Sequence, residues 1–164
     1  MTSIREDLTD KRYAGANGQF PHVYWITGGS CSGKSSLADE LSEHHGLQVM
    51  HTDRIASKLF ERADEHRHPV AHTVWPVFKK GFLSWMRLQP SRLYEGIYEI
   101  FELLLEDILA MGTDPVVVEG MVISPMAAVE VSSMDRIVCL TGTDDFLRLQ
   151  EPNHPFVKRS YSEW

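Results

Sequence analysis

Residues 28–35, GGSCSGKS, constrain the fold of this chain more than any other part of its sequence. They match the pattern G-x-x-x-x-G-K-[ST] at every fixed position, and glycines in such a turn let successive backbone N–H groups point at a phosphate. The pattern requires a strand before it and a helix after it, because the helix adds the positive end of its dipole. Residues 23–27 (VYWIT) have the composition of a buried strand, and residues 34–45 have the apolar spacing of a helix that ends at Gly46. The sequence therefore predicts a phosphate-binding turn between a strand and a helix.

Nine residues of this turn and of the helix start are the expected nucleotide contacts. They are Gly28, Gly29, Ser30, Cys31, Ser32, Gly33, Lys34, Ser35 and Ser36. In this pattern the lysine, Lys34, reaches the β- and γ-phosphates, and the hydroxyl of Ser35 binds Mg²⁺. Cys31 stands at a variable position, where we expect a small filling residue rather than a reactive thiol.

Strands and helices alternate along the rest of the chain. The sequence predicts further strands at residues 47–51, 116–118 and 136–141, and helices at residues 54–67 and 70–88, from an N-cap at Ser91 to Gly112, from Ser124 onward, and from a cap at Thr143 to about residue 150. The three consecutive valines at 116–118 are typical of a parallel strand buried on both faces. We therefore expect an α/β fold with a parallel sheet of four strands and helices on both faces.

The composition is that of one ordinary globular domain. The chain has 164 residues, a net charge of −7 and 43% hydrophobic residues, which suffices for a single core. We expect a flexible N-terminal segment at residues 1–22 and one domain at residues 23–164. No basic block or long apolar run occurs, so nucleic-acid and membrane partners are not expected. Two cysteines, Cys31 and Cys139, are too few for a disulfide scaffold, and we expect a cytoplasmic protein.

Residues 25–38, together with an acidic residue in the run HTDR at 51–54, resemble the small-molecule kinase branch of the P-loop superfamily. That branch includes nucleoside and nucleotide kinases and the shikimate- and gluconate-type kinases, and the resemblance covers about residues 23–150. GTPases carry an N-K-x-D motif after a later strand, and this tetrapeptide does not occur in the sequence. The resemblance implies a three-layer P-loop NTPase fold that binds ATP and Mg²⁺.

Two carboxylates follow predicted strands at positions where such kinases place functional groups. The resemblance implies that Asp53 accepts the proton of the acceptor hydroxyl or anchors the substrate, although Asp is also a common helix N-cap. Its neighbour Arg54 would pair with an anionic substrate, although an arginine at a helix start is more often solvent-exposed. Glu119 ends the strand in the Walker B position, where it would meet Mg²⁺ or the acceptor, and the alternative is a solvated charge at the strand end.

The long connection at about residues 54–111 is where the resemblance places a helical acceptor-binding insert. Arg92 is the candidate substrate contact there. The aromatic residues of the insert, each of which is also compatible with a core position, are Trp75, Phe78, Phe82, Trp85, Tyr94, Tyr98 and Phe101, and Arg87 lies among them. The eight histidines show no metal-ligand spacing, and His66 and His68 fit a solvated turn.

The kinases of this branch continue past their fourth strand into an arginine-bearing lid and a fifth strand. Only 23 residues follow Thr141 here, so we expect either that the sequence lacks the end of the domain or that a compact variant closes the site differently. Arg148, Lys158 and Arg159 are the candidate lid cations, with Arg159 assigned a catalytic role; a surface position is the alternative for each.

Together with the glycine-rich turn, the resemblance implies an ATP-dependent kinase. It would transfer the γ-phosphoryl group to a hydroxyl or phosphate of a small molecule such as a nucleoside, a nucleotide or a sugar acid. The alternative is a nucleotide-binding regulatory module without efficient catalysis.

Overall fold

The computed structural model describes residues 18–80 and 90–150. In chain order the elements are β1 (Val23–Gly28), α1 (Lys34–His45), β2 (Gln48–His51), α2 (Thr52–Glu61), α3 (Pro69–Phe78), α4 (Pro90–Met111), β3 (Val116–Glu119), α5 (Pro125–Val131), a 3₁₀ turn (Met134–Arg136), β4 (Ile137–Leu140) and α6 (Asp144–Gln150).

The four strands form one sheet in the order β2-β3-β1-β4, and every pair is parallel. The expectation of an α/β fold with a four-stranded parallel sheet is confirmed. In the sheet centre Trp25 of β1 lies between Val118 of β3 and Ile137 of β4. All four residues of β3 are buried, as expected of a central parallel strand.

Helices cover both faces of the sheet, because successive strand side chains point to opposite faces. Val23 and Trp25 of β1 pack in the larger core cluster together with side chains of α2, α4 and α5. Ile26 of β1 and Val117 of β3 instead pack against Ala38 of α1 in a smaller cluster. The chain therefore leaves β1 toward one face of the sheet and leaves β3 toward the other.

This divergence positions the functional site. β1 and β3 are neighbours, and the connections that follow them cover opposite faces. In open α/β sheets such a point leaves a crevice at the carboxyl ends of the strands, where ligands bind. Gly28 ends β1 and Glu119 ends β3, so both lie beside this crevice.

Several helix boundaries differ from the predicted ones. α2 begins at Thr52, two residues early, and stops at Glu61, because residues 62–68 form a turn. In this turn Asp64 accepts hydrogen bonds from the N–H groups of Arg67 (3.0 Å) and His66 (2.9 Å), which hold the pKa of Asp64 below its usual range. The predicted N-cap Ser91 lies inside α4, which includes Pro90.

Two side chains expected from the sequence to be exposed are buried. Phe20, from the segment expected to be flexible, is 1% exposed and packs edge-on against Trp25. His68 is also 1% exposed, and its Nδ1 accepts the N–H of Asp64 at 3.2 Å. The expectation of a solvated His68 is therefore wrong.

Other predicted features are present. Gly46 ends α1 in the left-handed conformation and donates its N–H to Ser42. Thr143 caps α6, since its Oγ1 accepts the N–H of Phe146 at 3.3 Å. No helix within residues 18–80 and 90–150 is long and apolar enough to cross a membrane.

Candidate functional site

The turn after β1 is anchored to the end of β4. The N–H of Gly29 donates to the carbonyl of Leu140 at 3.0 Å. A Cβ on Gly28 would lie 1.9 Å from the same carbonyl oxygen, so only glycine fits there. Cys31 (φ 58°) and Gly33 (φ 90°) both take left-handed backbone conformations within the turn. Such conformations at a strand-to-helix turn are what allow N–H groups to converge on an anion.

The side chain of Lys34 folds back across this turn. Its Nζ donates to the carbonyl oxygen of Gly29 at 2.7 Å, and the residue is 7% exposed. The hydroxyl of Ser32 donates to the same carbonyl at 2.8 Å. Ser30 and Ser36 are exposed at the rim of the turn. The ammonium group is thus held at the place where the sequence pattern expects phosphate oxygens.

The structure brings the predicted residues Ser35 and Glu119 together. The hydroxyl of Ser35 donates to Glu119 Oε1 at 3.2 Å, although 84 positions separate the two in the sequence. Glu119 is 1% exposed, and its Oε2 has no hydrogen-bond partner among the described residues. An unpaired buried carboxylate oxygen is costly, and a cation beside this atom would offset that cost. Hydroxyl and carboxylate oxygens are the donors that Mg²⁺ prefers, so the pair fits that cation.

His51 joins this pair, although no pattern in the sequence predicted it. Its Nδ1 lies 2.6 Å from Glu119 Oε1, and its Nε2 lies 3.3 Å from Asp39 Oδ1. The ring is 12% exposed and the Asp39 side chain is 55% exposed, so the ring bridges the buried carboxylate and the surface. No sequence signal identifies this contact, because it depends on β2 pairing with β3 in the register that sets His51 opposite Glu119.

Asp53 lies in the first turn of α2 and does not cap it. His51 occupies the N-cap position, so the interpretation of Asp53 as a simple N-cap is wrong. Asp53 Oδ1 instead accepts the N–H of Met121, just beyond the end of β3, at 2.8 Å. Asp53 is solvent-exposed, so a ligand in the crevice can reach it.

Gly120 allows this close approach. A Cβ at position 120 would lie 2.8 Å from Asp53 Oδ1 and 2.2 Å from the Oγ1 of Thr52, and Gly120 has a φ of 133°. Thr52 is fully buried, and its hydroxyl has no partner within the part of the chain that the structure describes.

The predicted arginines within residues 18–80 and 90–150 are not paired with these residues. Arg54, Arg92 and Arg148 are exposed, and within the described ranges none of them makes a hydrogen bond or ion pair with the turn. Lys158 and Arg159 lie outside the described residues.

The aromatic residues of the insert divide into core and surface positions. Trp75 stacks on Phe60 with the rings 6.3 Å apart, and Phe101 packs 5.7 Å from Trp25 in the main core. Tyr94 is 68% exposed. The residues at 82, 85 and 87 and the side chain of Phe78 lie outside what the structure describes.

Comparison of the sequence with models of protein families and with curated proteins returns no match. Among the described residues, no three His, Cys, Asp or Glu side chains form a group that could hold a metal ion by themselves. A function for the site must therefore be inferred from the geometry around Ser35, Asp53 and Glu119.

Proposed function

We propose that this protein is an ATP-dependent kinase with a P-loop NTPase fold, which transfers the γ-phosphoryl group to a hydroxyl or phosphate of a small molecule. The observation that carries the proposal is the contact between Ser35 Oγ and Glu119 Oε1 at 3.2 Å, beside a buried Glu119 Oε2 for which the described residues offer no partner. This contact joins the end of the glycine-rich turn to the neighbouring strand end. A phosphate-binding turn needs such oxygen donors beside it when its ligand is a metal–nucleotide complex.

The turn would bind the triphosphate. Its left-handed residues would let N–H groups converge on the phosphates, and α1 adds the positive end of its dipole. Lys34 would exchange its bond with the Gly29 carbonyl for phosphate oxygens, a stronger charge-assisted contact. Local positive potential of this kind is compatible with a net charge of −7 on the chain.

Ser35 and Glu119 would hold Mg²⁺. The cation, when bound, neutralises charge on the phosphates and fixes their geometry. Glu119 would supply an anionic oxygen and Ser35 a neutral one, and the burial of Glu119 restricts the movement of its carboxylate.

Asp53 would orient the acceptor. The N–H of Met121 holds its Oδ1, which leaves Oδ2 to accept a hydrogen bond from an acceptor hydroxyl. In the transfer step, the hydroxyl oxygen forms a bond with the γ-phosphorus, the bond from that phosphorus to the β-phosphate oxygen breaks, and Asp53 takes the hydroxyl proton. Positioning is the main contribution of the protein to this chemistry.

The proposed setting is a reducing one. Cys31 lies in the nucleotide turn and Cys139 in β4, and both are free thiols. A cytoplasmic enzyme using ATP fits this thiol state.

The test is a turnover assay with ATP, Mg²⁺ and a panel of nucleosides, nucleotides, sugars and sugar acids. Once an acceptor is found, Asp53→Asn should lower kcat by about 100-fold or more, because the amide keeps the shape but cannot take the proton. The affinity for Mg-ATP should remain unchanged. Asp114→Asn, at an exposed carboxylate before β3, is the matched control and should retain full activity.

Two results would count against the proposal in different ways. Absence of Mg-ATP binding by the wild-type protein would remove the nucleotide site altogether. Binding without any acceptor-dependent turnover would favour a regulatory nucleotide-binding module, in which Asp53→Asn has no turnover to lose.

A further inference from the structure

The carboxylate of Glu119 is held on one side by two donors. Ser35 Oγ lies 3.2 Å and His51 Nδ1 lies 2.6 Å from the same oxygen, Oε1. A carboxylate without a proton only accepts hydrogen bonds, so this contact requires the histidine tautomer that carries a proton on Nδ1. Of the two contacts with Oε1, the one from His51 is the shorter.

When a metal–nucleotide complex binds, one of the two hydrogen bonds to Glu119 is lost and the other is kept. In the proposed function the oxygen of Ser35 turns to the cation, and its hydrogen bond with Glu119 is given up. His51 has no role on the phosphates, so its bond to Oε1 persists. Among the residues that the structure describes, the hydrogen bond from His51 is then the one that still fixes the orientation of Glu119.

His51 is itself well fixed. It ends β2, lies opposite Glu119 in the parallel register, and is 12% exposed. On its other side Nε2 lies 3.3 Å from Asp39 of α1, a half-exposed carboxylate. The ring is thus braced between the helix that follows the nucleotide turn and the strand that carries Glu119.

We propose that His51 is a positioning residue, which holds the Glu119 carboxylate beside Ser35 in the orientation that receives the cation of a metal–nucleotide complex. The inference rests on the proposed function, because it assumes that Ser35 and Glu119 bind that cation. Residues that hydrogen-bond to metal ligands typically contribute 10- to 100-fold to metal affinity, so the expected effect is large enough to measure.

The experiment compares two variants of similar polarity. His51→Asn places an amide N–H at the position of Nδ1 and keeps the bond to Glu119, whereas His51→Gln places it at the position of Nε2, facing Asp39. Dissociation constants for ATP are measured by calorimetry with saturating Mg²⁺ and with EDTA, and their ratio gives the enhancement by Mg²⁺. His51→Ala removes both contacts and supplies a second loss variant.

We expect His51→Gln and His51→Ala to reduce the Mg²⁺ enhancement by about tenfold or more, while ATP binding in EDTA changes by less than about twofold. His51→Asn should retain most of the enhancement. His72→Gln, at an exposed histidine of α3, is the control and should retain all of it.

The inference is overturned if the Gln and Ala variants keep the wild-type enhancement, or if the Asn variant loses as much as they do. It is also overturned if all three weaken ATP binding equally with and without Mg²⁺, which would indicate a role in folding alone. If wild-type protein binds ATP without any enhancement by Mg²⁺, the assignment of Ser35 and Glu119 fails first, and the role of His51 fails with it.

Discussion

Gly120 is the residue on which the geometry around Asp53 depends most directly. Its positive φ favours glycine, and the side chains of Thr52 and Asp53 occupy the space that a Cβ would fill. Thr52 is fully buried, whereas Asp53 is exposed. A methyl group at position 120 would therefore force both side chains or their backbone to shift, which would disturb the contact of Asp53 with the N–H of Met121.

Gly120→Ala should lower acceptor-dependent kcat by at least about tenfold, because small misplacements of a positioning group are costly to catalysis. Gly112→Ala is the matched control. Gly112 also has a positive φ (97°), but a Cβ there would meet nothing within 4 Å, so this variant has the backbone strain without the displacement. Equal losses of kcat in the two variants would show that strain alone is responsible.

The sequence predicted the individual site residues unequally. Lys34 and Ser35 follow from a local pattern whose spacing is fixed by the backbone, and Asp53 and Glu119 follow from their positions after strands. His51 could not be found in this way, because its partner Glu119 is 68 positions away and their contact depends on β2 pairing with β3. A search for metal-ligand spacing along the chain cannot detect a histidine whose partner is a carboxylate on the neighbouring strand.

Helix α3 depends on a neighbouring helix for its N-terminal hydrogen bonds. His68 occupies its N-cap position without a side-chain cap. Glu99 of α4 supplies the missing acceptor, since its Oε2 receives the N–H of Ala71 at 2.8 Å, and Glu99 is 5% exposed. A buried carboxylate is thus retained because it satisfies a helix terminus and meets the positive end of its dipole.

Glu99→Ala should lower the free energy of unfolding by about 1–3 kcal/mol, because it leaves the buried N–H of Ala71 without an acceptor. Chemical denaturation monitored by circular dichroism would measure this loss. Glu95→Ala, at an exposed residue one turn earlier in α4, should change stability by less than about 0.5 kcal/mol. A loss at position 95 as large as that at position 99 would contradict the capping role.

The sequence predicted which segments are helices and which are strands, but it predicted the residues at which the helices begin and end less well. The strands follow from short β-branched runs, and the end of α1 follows from Gly46, whose conformation is local. Ser91 was a poor guide because Pro90, which is also favoured in a first helical turn, belongs to the helix. The end of α2 at Glu61 was missed because the turn at residues 62–68 continues the apolar spacing as far as Ala63, which is buried without being helical.

The arrangement of the whole domain explains why a site assembled from distant residues can be stiff. The glycine-rich turn, His51, Asp53 and Glu119 lie at the ends of three adjacent strands, and β4 anchors the start of the turn through the Leu140 carbonyl. The sequence could predict that the sheet is parallel, but the order β2-β3-β1-β4 required the structure. It is this order that places Glu119 between His51 and Ser35.

A ligand bound at the ends of three adjacent strands should stabilise the entire domain against unfolding. Mg-ATP at 100 times its dissociation constant should add about 2.7 kcal/mol to the free energy of unfolding, because the ligand binds only the folded state. For a domain of this size the corresponding rise in Tm is about 5–11 °C, which differential scanning fluorimetry would detect.

Lys34→Met should abolish most of the shift at the same ATP concentration, since it removes the cation nearest the turn. Lys58→Met, at an exposed position of α2, should leave the shift intact. An undiminished shift in Lys34→Met would mean that ATP binds elsewhere, because no ligand of the glycine-rich turn could be indifferent to the ammonium group that lies 2.7 Å from the Gly29 carbonyl.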